Sequence, residues 1–275
     1  MTLSEDIATW STYVGRTRRL TQVLDVESLR RFAVASGFAA DVEAALPPLA
    51  HWAWFLPVAP DHELGSDGHP KRGDFLPPVS LPRRLFAGAR MSFDAPLELD
   101  APAELAMTIA DVSHKSGRTG DLVFVEVDRI VTQQARARVR ERQTIVYRGE
   151  GDAVPLPDRS ADVPYKAAVW TPSPVNLFRF SAATFNSHRI HYDRAYVTAE
   201  EGYPALVVHG PFTAVKLAAL AVGTQARSLA TFEFQGRAPL FVDQPIYLRP
   251  GDTDGLFEAI RCDGTTAMTA RAGYR

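Results

Sequence analysis

The chain has 275 residues, a formal net charge of −2, and 46% hydrophobic and 23% charged residues. This is the composition of a folded globular protein with room for two modest domains. There is no basic surplus to attract nucleic acid, and no apolar run approaches the ~20 residues that span a bilayer.

The one cysteine, Cys262, cannot form an internal disulfide and suits a reducing compartment. It falls in a strand-like segment and reads as a small buried apolar residue. The opening MTLSEDIATW lacks the basic and apolar regions of a secretory signal, so the cytoplasm is the expected location.

In chain order, the first clear element is an amphipathic helix over residues 25–36. Asp25 can cap it, Glu27 sits in its first turn, Leu29, Phe32 and Ala33 form one apolar face, and Gly37 stops it. The following PLAHWAWFLPVAP, broken by prolines, is irregular or edge-like rather than a central strand. A long loop then runs into a strand that begins near Leu85. Loops of that length inside a compact domain tend to be functional.

Residues 103–112 and 122–131 are strand-like, and SGRTGD between them has hairpin-turn chemistry. Residues 135–147 form the clearest strand. Arg136, Arg138, Arg140 and Arg142 alternate onto one face, either as a solvated surface or as a phosphate-binding patch. Proline then recurs through 149–174, which reads as a linker between halves 1–148 and 175–275. The second half repeats the order of the first. A short helical stretch near Phe178 and a loop lead to an apolar helix over 211–222, then to strands over 229–235, 244–248, 256–262 and 266–270.

The chemistry concentrates in FRFSAATFNSHRIHYDRAYVTAEEGYPALVVHG, residues 178–210, which holds three of the seven histidines. An imidazole can act as a base near neutral pH, and the amide of Asn186 can hold a water but not take its proton. The helix after His209-Gly210-Pro211 is apolar on nearly every side except at Lys216, so it should be buried. Its first N–H groups, that of Gly210 included, would then face any oxyanion held there. These parts fit proton abstraction beside a carbonyl, or water addition across a double bond conjugated to one. His209 could equally be structural. His188 and His191 could share a metal, but no third ligand stands at a recognisable spacing. Asp193 reads as a local cap or orienting group, and Tyr192 and Tyr203 read more readily as packing.

FSAATFNSHRIHYD followed by YPALVVHGP is similar to the signature of the MaoC-like hydratases, a Gly-Asp-x-Asn-Pro-x-His loop before a His-Gly helix start. With DGHPKRGDFLPPVSLPRRLFAGARMSF and KSGRTGDLVFVEV…IVYR, the chain resembles one branch of that superfamily over nearly its whole length. The branch contains type 2 hydroxyacyl-thioester dehydratases and mesaconyl-CoA and itaconyl-CoA hydratases.

The resemblance implies an α+β double hot-dog fold, with two antiparallel sheets each wrapped around a helix. It places the catalytic His on His191 and the thioester-binding N–H on Gly210. The family Asp falls on Asn186, and the family Asn falls on His188. An amide is no base, so proton transfer is expected to move to the histidines, with Asn186 positioning the water. The N-terminal half resembles a degenerate hot-dog that accommodates the acyl chain. Arg83 and Arg84, with Arg189, Tyr192 and His209, are the expected substrate-binding residues.

The resemblance implies a hydro-lyase acting on a CoA thioester, with no cofactor and no metal, and a homodimer is one assembly it allows. A short branched dicarboxylic acyl group such as mesaconyl or itaconyl is the preferred substrate. A hot-dog thioesterase and a non-catalytic acyl-thioester binder are the competing readings, because a fold alone does not assign function.

Overall fold

The structure, a computed structural model, describes residues 3–43, 45–117, 120–151 and 153–275. Short helix α1 (Leu3–Ser11) and strand β1 (Thr17–Val23) precede α2 (Val26–Ala35), the first helix expected from the sequence. The Asp25 side chain accepts the Ser28 N–H at 2.8 Å, and Leu29, Phe32 and Ala33 face the core. The proline-broken aromatic segment forms a 3-10 turn, Ala50–Ala53, and buries Trp52, Trp54 and Phe55. It is irregular, as its prolines require, yet it lies deep in the core.

The strands of the first half are β2 (Arg83–Phe93), β3 (Pro102–Gly117), β4 (Gly120–Gln133) and β5 (Arg136–Arg148). Arg118 and Thr119, in the expected hairpin turn, lie outside the described residues. Gly117 pairs with Gly120 on either side of them.

The expected linker is not all irregular. It ends in a short edge strand, β6 (Ala168–Trp170), that pairs with β8 (Ile246–Pro250). Helices α3 (Pro174–Ala183), α4 (Arg194–Ala199) and α5 (Gly210–Gln225) follow, with strands β7 (Leu229–Gly236), β9 (Leu256–Arg261) and β10 (Thr266–Tyr274). Cys262 is buried, as expected, but in the turn just after β9.

All ten strands form one antiparallel sheet in the order β1-β3-β4-β5-β2-β7-β10-β9-β8-β6. The seam between the halves is β2 against β7, Gly88 to Gln235 through Ser92 to Thr231. A Cβ at Gly88 would lie 2.4 Å from the Phe234 carbonyl oxygen, so only glycine lets the strands approach there. This is the double hot-dog arrangement, with α5 laid across β7 to β10 and touching β2.

Helix α5 buries Phe212 to Val215, Leu217, Ala218 and Ala221. Its one interior charge, Lys216, donates to the Ser36 carbonyl at the end of α2 at 2.7 Å. A cation there complements the negative end of the α2 dipole and ties the helices of the two halves together.

Three of the four alternating arginines of β5 are neutralised by carboxylates. Arg138 pairs with Glu98, Arg140 with Asp94 and Arg142 with Asp128. Arg140 and Arg142 pair at the surface and Arg138 is buried, which leaves little free charge for a phosphate.

The opposite face of β5 carries a buried carboxylate, Glu141. It accepts from Trp52 Nε1 at 3.0 Å and Gln143 Nε2 at 2.9 Å, with His51 Nε2 at 3.5 Å and Arg129 Nε at 3.3 Å. Burial alone would raise its pKa. The hydrogen bond and charge of His51, the charge of Arg129 and the Gln143 amide overcome that and hold it at about 2.

Removing one member of such a buried cluster strands the others. Glu141→Ala is therefore expected to cost about 3–5 kcal/mol in urea denaturation. A loss within the ordinary scatter of surface substitutions, about 0.5 kcal/mol, would show that the cluster adds nothing to the fold.

Candidate active site

Three segments build the site. The first is the loop after α3, which runs through Asn186 and His188 into a 3-10 turn, Arg189–His191. The second is the buried run 205–209 that leads into α5. The third, from the N-terminal half, is the turn 65–69 together with the start of β2.

The first two segments are stitched by backbone. Val207 N–H donates to Ile190 O at 3.0 Å, and Val208 N–H donates to Leu240 O at 2.8 Å. Against that frame, His191 Nδ1 lies 2.7 Å from the Val207 carbonyl. A carbonyl only accepts, so Nδ1 carries the proton and Nε2 keeps a free lone pair.

His191 stacks on His209, the residue before Gly210, with ring centroids 3.6 Å apart. His209 is 0% exposed and its Nε2 lies 2.8 Å from Ser181 Oγ. His188 stands edge-on to His191 at 5.5 Å, and His69 lies 4.0 Å from His188. Four imidazoles thus form one row, His69–His188–His191–His209.

Burial disfavours charge on every member of the row. The His191 pKa is pushed down to about 3 by desolvation, which outweighs the hydrogen bond to Val207. His188 is driven far below the ordinary range by desolvation and by the charges of its neighbours, His69 first. His209 is held well below it by desolvation and His191. His69 is lowered by desolvation, against the pull of Asp67.

Asp67 Oδ2 lies 3.0 Å from His69 Nδ1, and Asp67 Oδ1 accepts the His69 backbone N–H at 3.0 Å. Burial would raise the Asp67 pKa, but the hydrogen bonds and charge of His69 and the charge of Arg84 bring it to about 2. Ligand atoms of Asp67, His69 and His188 lie within 4.8 Å of one another, the spacing a small cation could bridge. The Arg84 guanidinium bears on all three groups, and Asp67 already holds His69 through two bonds. That charge and those bonds oppose a cation and favour a hydrogen-bonded Asp–His pair.

The turn is fixed to the active loop by hydrogen bonds to its carbonyls. Arg189 N–H donates to Asp67 O at 2.9 Å, and Ser187 Oγ donates to Gly68 O. Gly68 has φ +87, and a Cβ there would lie 1.9 Å from Ser187 O, so the close approach requires glycine.

The expected site residues are thus located one by one. Asn186 sits beside the row, and its Oδ1 accepts the His188 N–H at 3.0 Å. Gly210 opens α5, where first-turn N–H groups have no helical acceptor. Arg83 and Arg84, adjacent in sequence, have separate surroundings. Arg83 is buried, with Nε 3.3 Å from Glu201 Oε2 and Nη2 donating to Glu201 O at 2.7 Å. Arg84 stands opposite Tyr147 on β5 and directs its charge at His188, and no ion pair among the described residues involves it. Arg189 pairs with Asp193 at 2.7 Å, and Tyr192 OH donates to Ser187 O at 3.1 Å, so both brace the loop. Asp193 caps α4, as expected. Asp67 and His69 escaped the sequence reading, although both lie in the DGHP of a long loop already suspected of function.

Comparison with known proteins bears on the same site. A model of the family described as hydroxyacyl-thioester dehydratase type 2 matches residues 49–242. The mesaconyl-C(4)-CoA hydratase of Chloroflexus aurantiacus is 44% identical over 273 residues, 96% of this chain and 97% of that protein. The chain belongs to the type 2 hydroxyacyl-thioester dehydratase family. Membership makes it an enzyme of the hydratase–dehydratase class, a lyase.

Solved structures agree on the fold. A MaoC-like dehydratase from Phytophthora capsici superposes with a TM-score of 0.68 at 14% identity, covering 98% of this chain and 97% of that one. A Mycobacterium tuberculosis protein with a double hot-dog fold superposes at 0.52 and 13% identity, covering 94% and 95%. Among the described residues, no helix of this family member is long and apolar enough to cross a membrane.

The neutral row has a consequence for stability. In the unfolded chain these histidines bind protons below about pH 6.5, whereas the folded site resists them. The unfolded state therefore binds more protons as pH falls from about 6.5 toward 3, and stability must drop across that window. Urea midpoints should hold steady at neutral pH and fall steadily below it, before most carboxylates titrate. A midpoint unchanged down to about pH 4.5 would contradict neutral burial of the row.

Proposed function

We propose that the protein adds water across the double bond of an enoyl-CoA, or removes it from the 3-hydroxyacyl-CoA. The observation that carries the reading is the pairing of His191, its Nδ1 locked to Val207 and its Nε2 free, with the helix start at Gly210 one stacked ring away. The thioester oxygen docks on the Gly210 N–H, which draws electron density from the conjugated double bond and makes the β carbon electrophilic. The Asn186 amide holds the water. His191 Nε2 takes one proton as the oxygen bonds to the β carbon, and the π pair moves onto the thioester as an enolate. A proton then reaches the α carbon.

We read the acyl group as a short dicarboxylic one, of which mesaconyl is the leading case, on the 44% identity to a mesaconyl-C(4)-CoA hydratase. Such a thioester flanks its double bond with a carboxylate on the side away from the sulfur. Arg84 offers that carboxylate a guanidinium at the His188 end of the row. Arg83, committed to Glu201, serves instead as a tie between β2 and the end of α4. The cytoplasm, where CoA esters and a free Cys262 coexist, is the proposed location.

The test is an enoyl-CoA panel with the conjugated absorbance and free thiol followed together. Hydration bleaches the absorbance and releases no thiol, whereas thiol release would identify a thioesterase. Arg84→Ala should raise KM for mesaconyl-C4-CoA by about ten- to a hundredfold. It should leave KM for an enoyl-CoA without the free carboxylate little changed. Equal effects on both esters would remove Arg84 from acyl recognition.

A further inference from the structure

The proposed reaction moves two protons, one from water and one to the α carbon. The active loop carries an amide at Asn186, which can do neither. The structure brings in another group. Turn 65–69 of the N-terminal half carries His69, hydrogen-bonded through Nδ1 to Asp67 and lying ring on ring with His188 at 4.0 Å.

The turn is held there by three hydrogen bonds from the loop of His188 and by a glycine that nothing larger can replace. Asp67 is itself oriented, because its other oxygen accepts the His69 N–H. A carboxylate gripping one imidazole nitrogen fixes the tautomer, aims the other nitrogen, and stabilises the protonated ring. Neither His209, with Nε2 on Ser181, nor His51, in the separate Glu141 cluster, is placed to serve.

We propose that the Asp67–His69 pair is the second acid–base group of the hydration, supplied by the N-terminal half in place of the carboxylate missing at Asn186. This rests on the hydratase reading above. The reactive form carries a proton on His69, which the Asp67 carboxylate favours against the desolvation that lowers its pKa, and none on His191. As the water oxygen bonds to the β carbon, His191 Nε2 takes its proton and the enolate forms against Gly210. The imidazolium of His69 gives its Nε2 proton to the α carbon, and the enolate electrons form that C–H bond. His191 is left protonated and His69 neutral. The surplus proton of His191 is released to solvent and His69 takes one up, so each turnover closes with no co-reactant. Asp67 is a positioning residue, and His69 is catalytic.

The groups facing His69 are Asp67 on its own turn, Arg84 from β2, Arg72 from the following loop, and His188 from the active loop. Arg72 is committed to the carbonyls of Val79, Leu81 and Pro82. Asp67 is therefore the one negative charge among these neighbours. Hydration needs the proton on His69, so turnover falls as pH rises through its pKa. Removing the Asp67 charge lowers that pKa and moves the alkaline limb to lower pH.

The experiment uses the full chain as wild type, His69→Gln and Asp67→Asn, with an enoyl-CoA that the wild type hydrates. His69→Gln should lower kcat by ~10²–10⁴-fold with little change in KM. It should suppress, to the same degree, exchange of the α hydrogen of the 3-hydroxyacyl-CoA in D2O. Asp67→Asn preserves the shape of the turn and should shift the alkaline limb of kcat to lower pH. Wild-type turnover or exchange in His69→Gln, or an unmoved limb in Asp67→Asn, would overturn the assignment. So would loss of wild-type turnover in EDTA with recovery on adding Zn²⁺, which would assign Asp67, His69 and His188 to a cation. A wild type that hydrates no member of the panel would overturn the hydratase reading itself, a result distinct from an active wild type with an active His69→Gln.

Discussion

The Nδ1–H of His191 is spent on the carbonyl of Val207, and much of the molecule serves to keep that bond in place. Val207 can hold still because its own N–H is tied to Ile190 and its neighbour's to Leu240. The run then enters a helix buried along most of its length, across the strands of the second half. The only interior charge of that helix reaches out to the end of α2. A ring that presents one fixed nitrogen and one free nitrogen needs this rigidity. A ring free to turn would present the wrong atom half the time.

Burial sets the electrostatics of the same site. An imidazole in water is half charged near neutral pH. Here four rings lie within contact of one another, and charge on any one raises the cost of charge on the next. Burial therefore holds the row toward neutrality, while Asp67 at one end favours a proton on His69 and Ser181 at the other end bonds His209. The negative partner comes from the half of the chain without the signature loop. The seam between β2 and β7 fixes the two halves as one body, so a turn from the first can be a wall of the site in the second.

Local chemistry made much of this legible in the sequence. Asp25 before an amphipathic run and Gly37 after it announced α2. The apolar sides of α5 announced a buried helix, and the histidines of residues 178–210 marked the loop that packs against its start. What the sequence hid was long-range. Nothing local places His69 against His188, because the turn and the loop are joined by hydrogen bonds between residues more than a hundred apart. The different roles of Arg83 and Arg84 follow from strand alternation beside a bulge at Phe86/Gly88, a register that only pairing with β5 reveals. Strands β1 and β6 were missed because TRRLTQV and AVW are edge segments with little buried apolar face.

The central claim is that a thioester oxygen is held by the N–H of Gly210, and two substitutions at that residue test it directly. Gly210→Ala keeps the N–H, and its Cβ would meet Phe86 O and Met268 Cε at 3.5 and 4.0 Å, ordinary contact distances. Gly210→Pro removes the N–H at a first-turn position where proline is well tolerated, after a residue, His209, whose ψ of 131 already suits it. Measured as kcat for enoyl-CoA hydration, the alanine variant should stay near wild type and the proline variant should lose about 10²–10³-fold. A proline variant as active as the alanine variant would contradict the account.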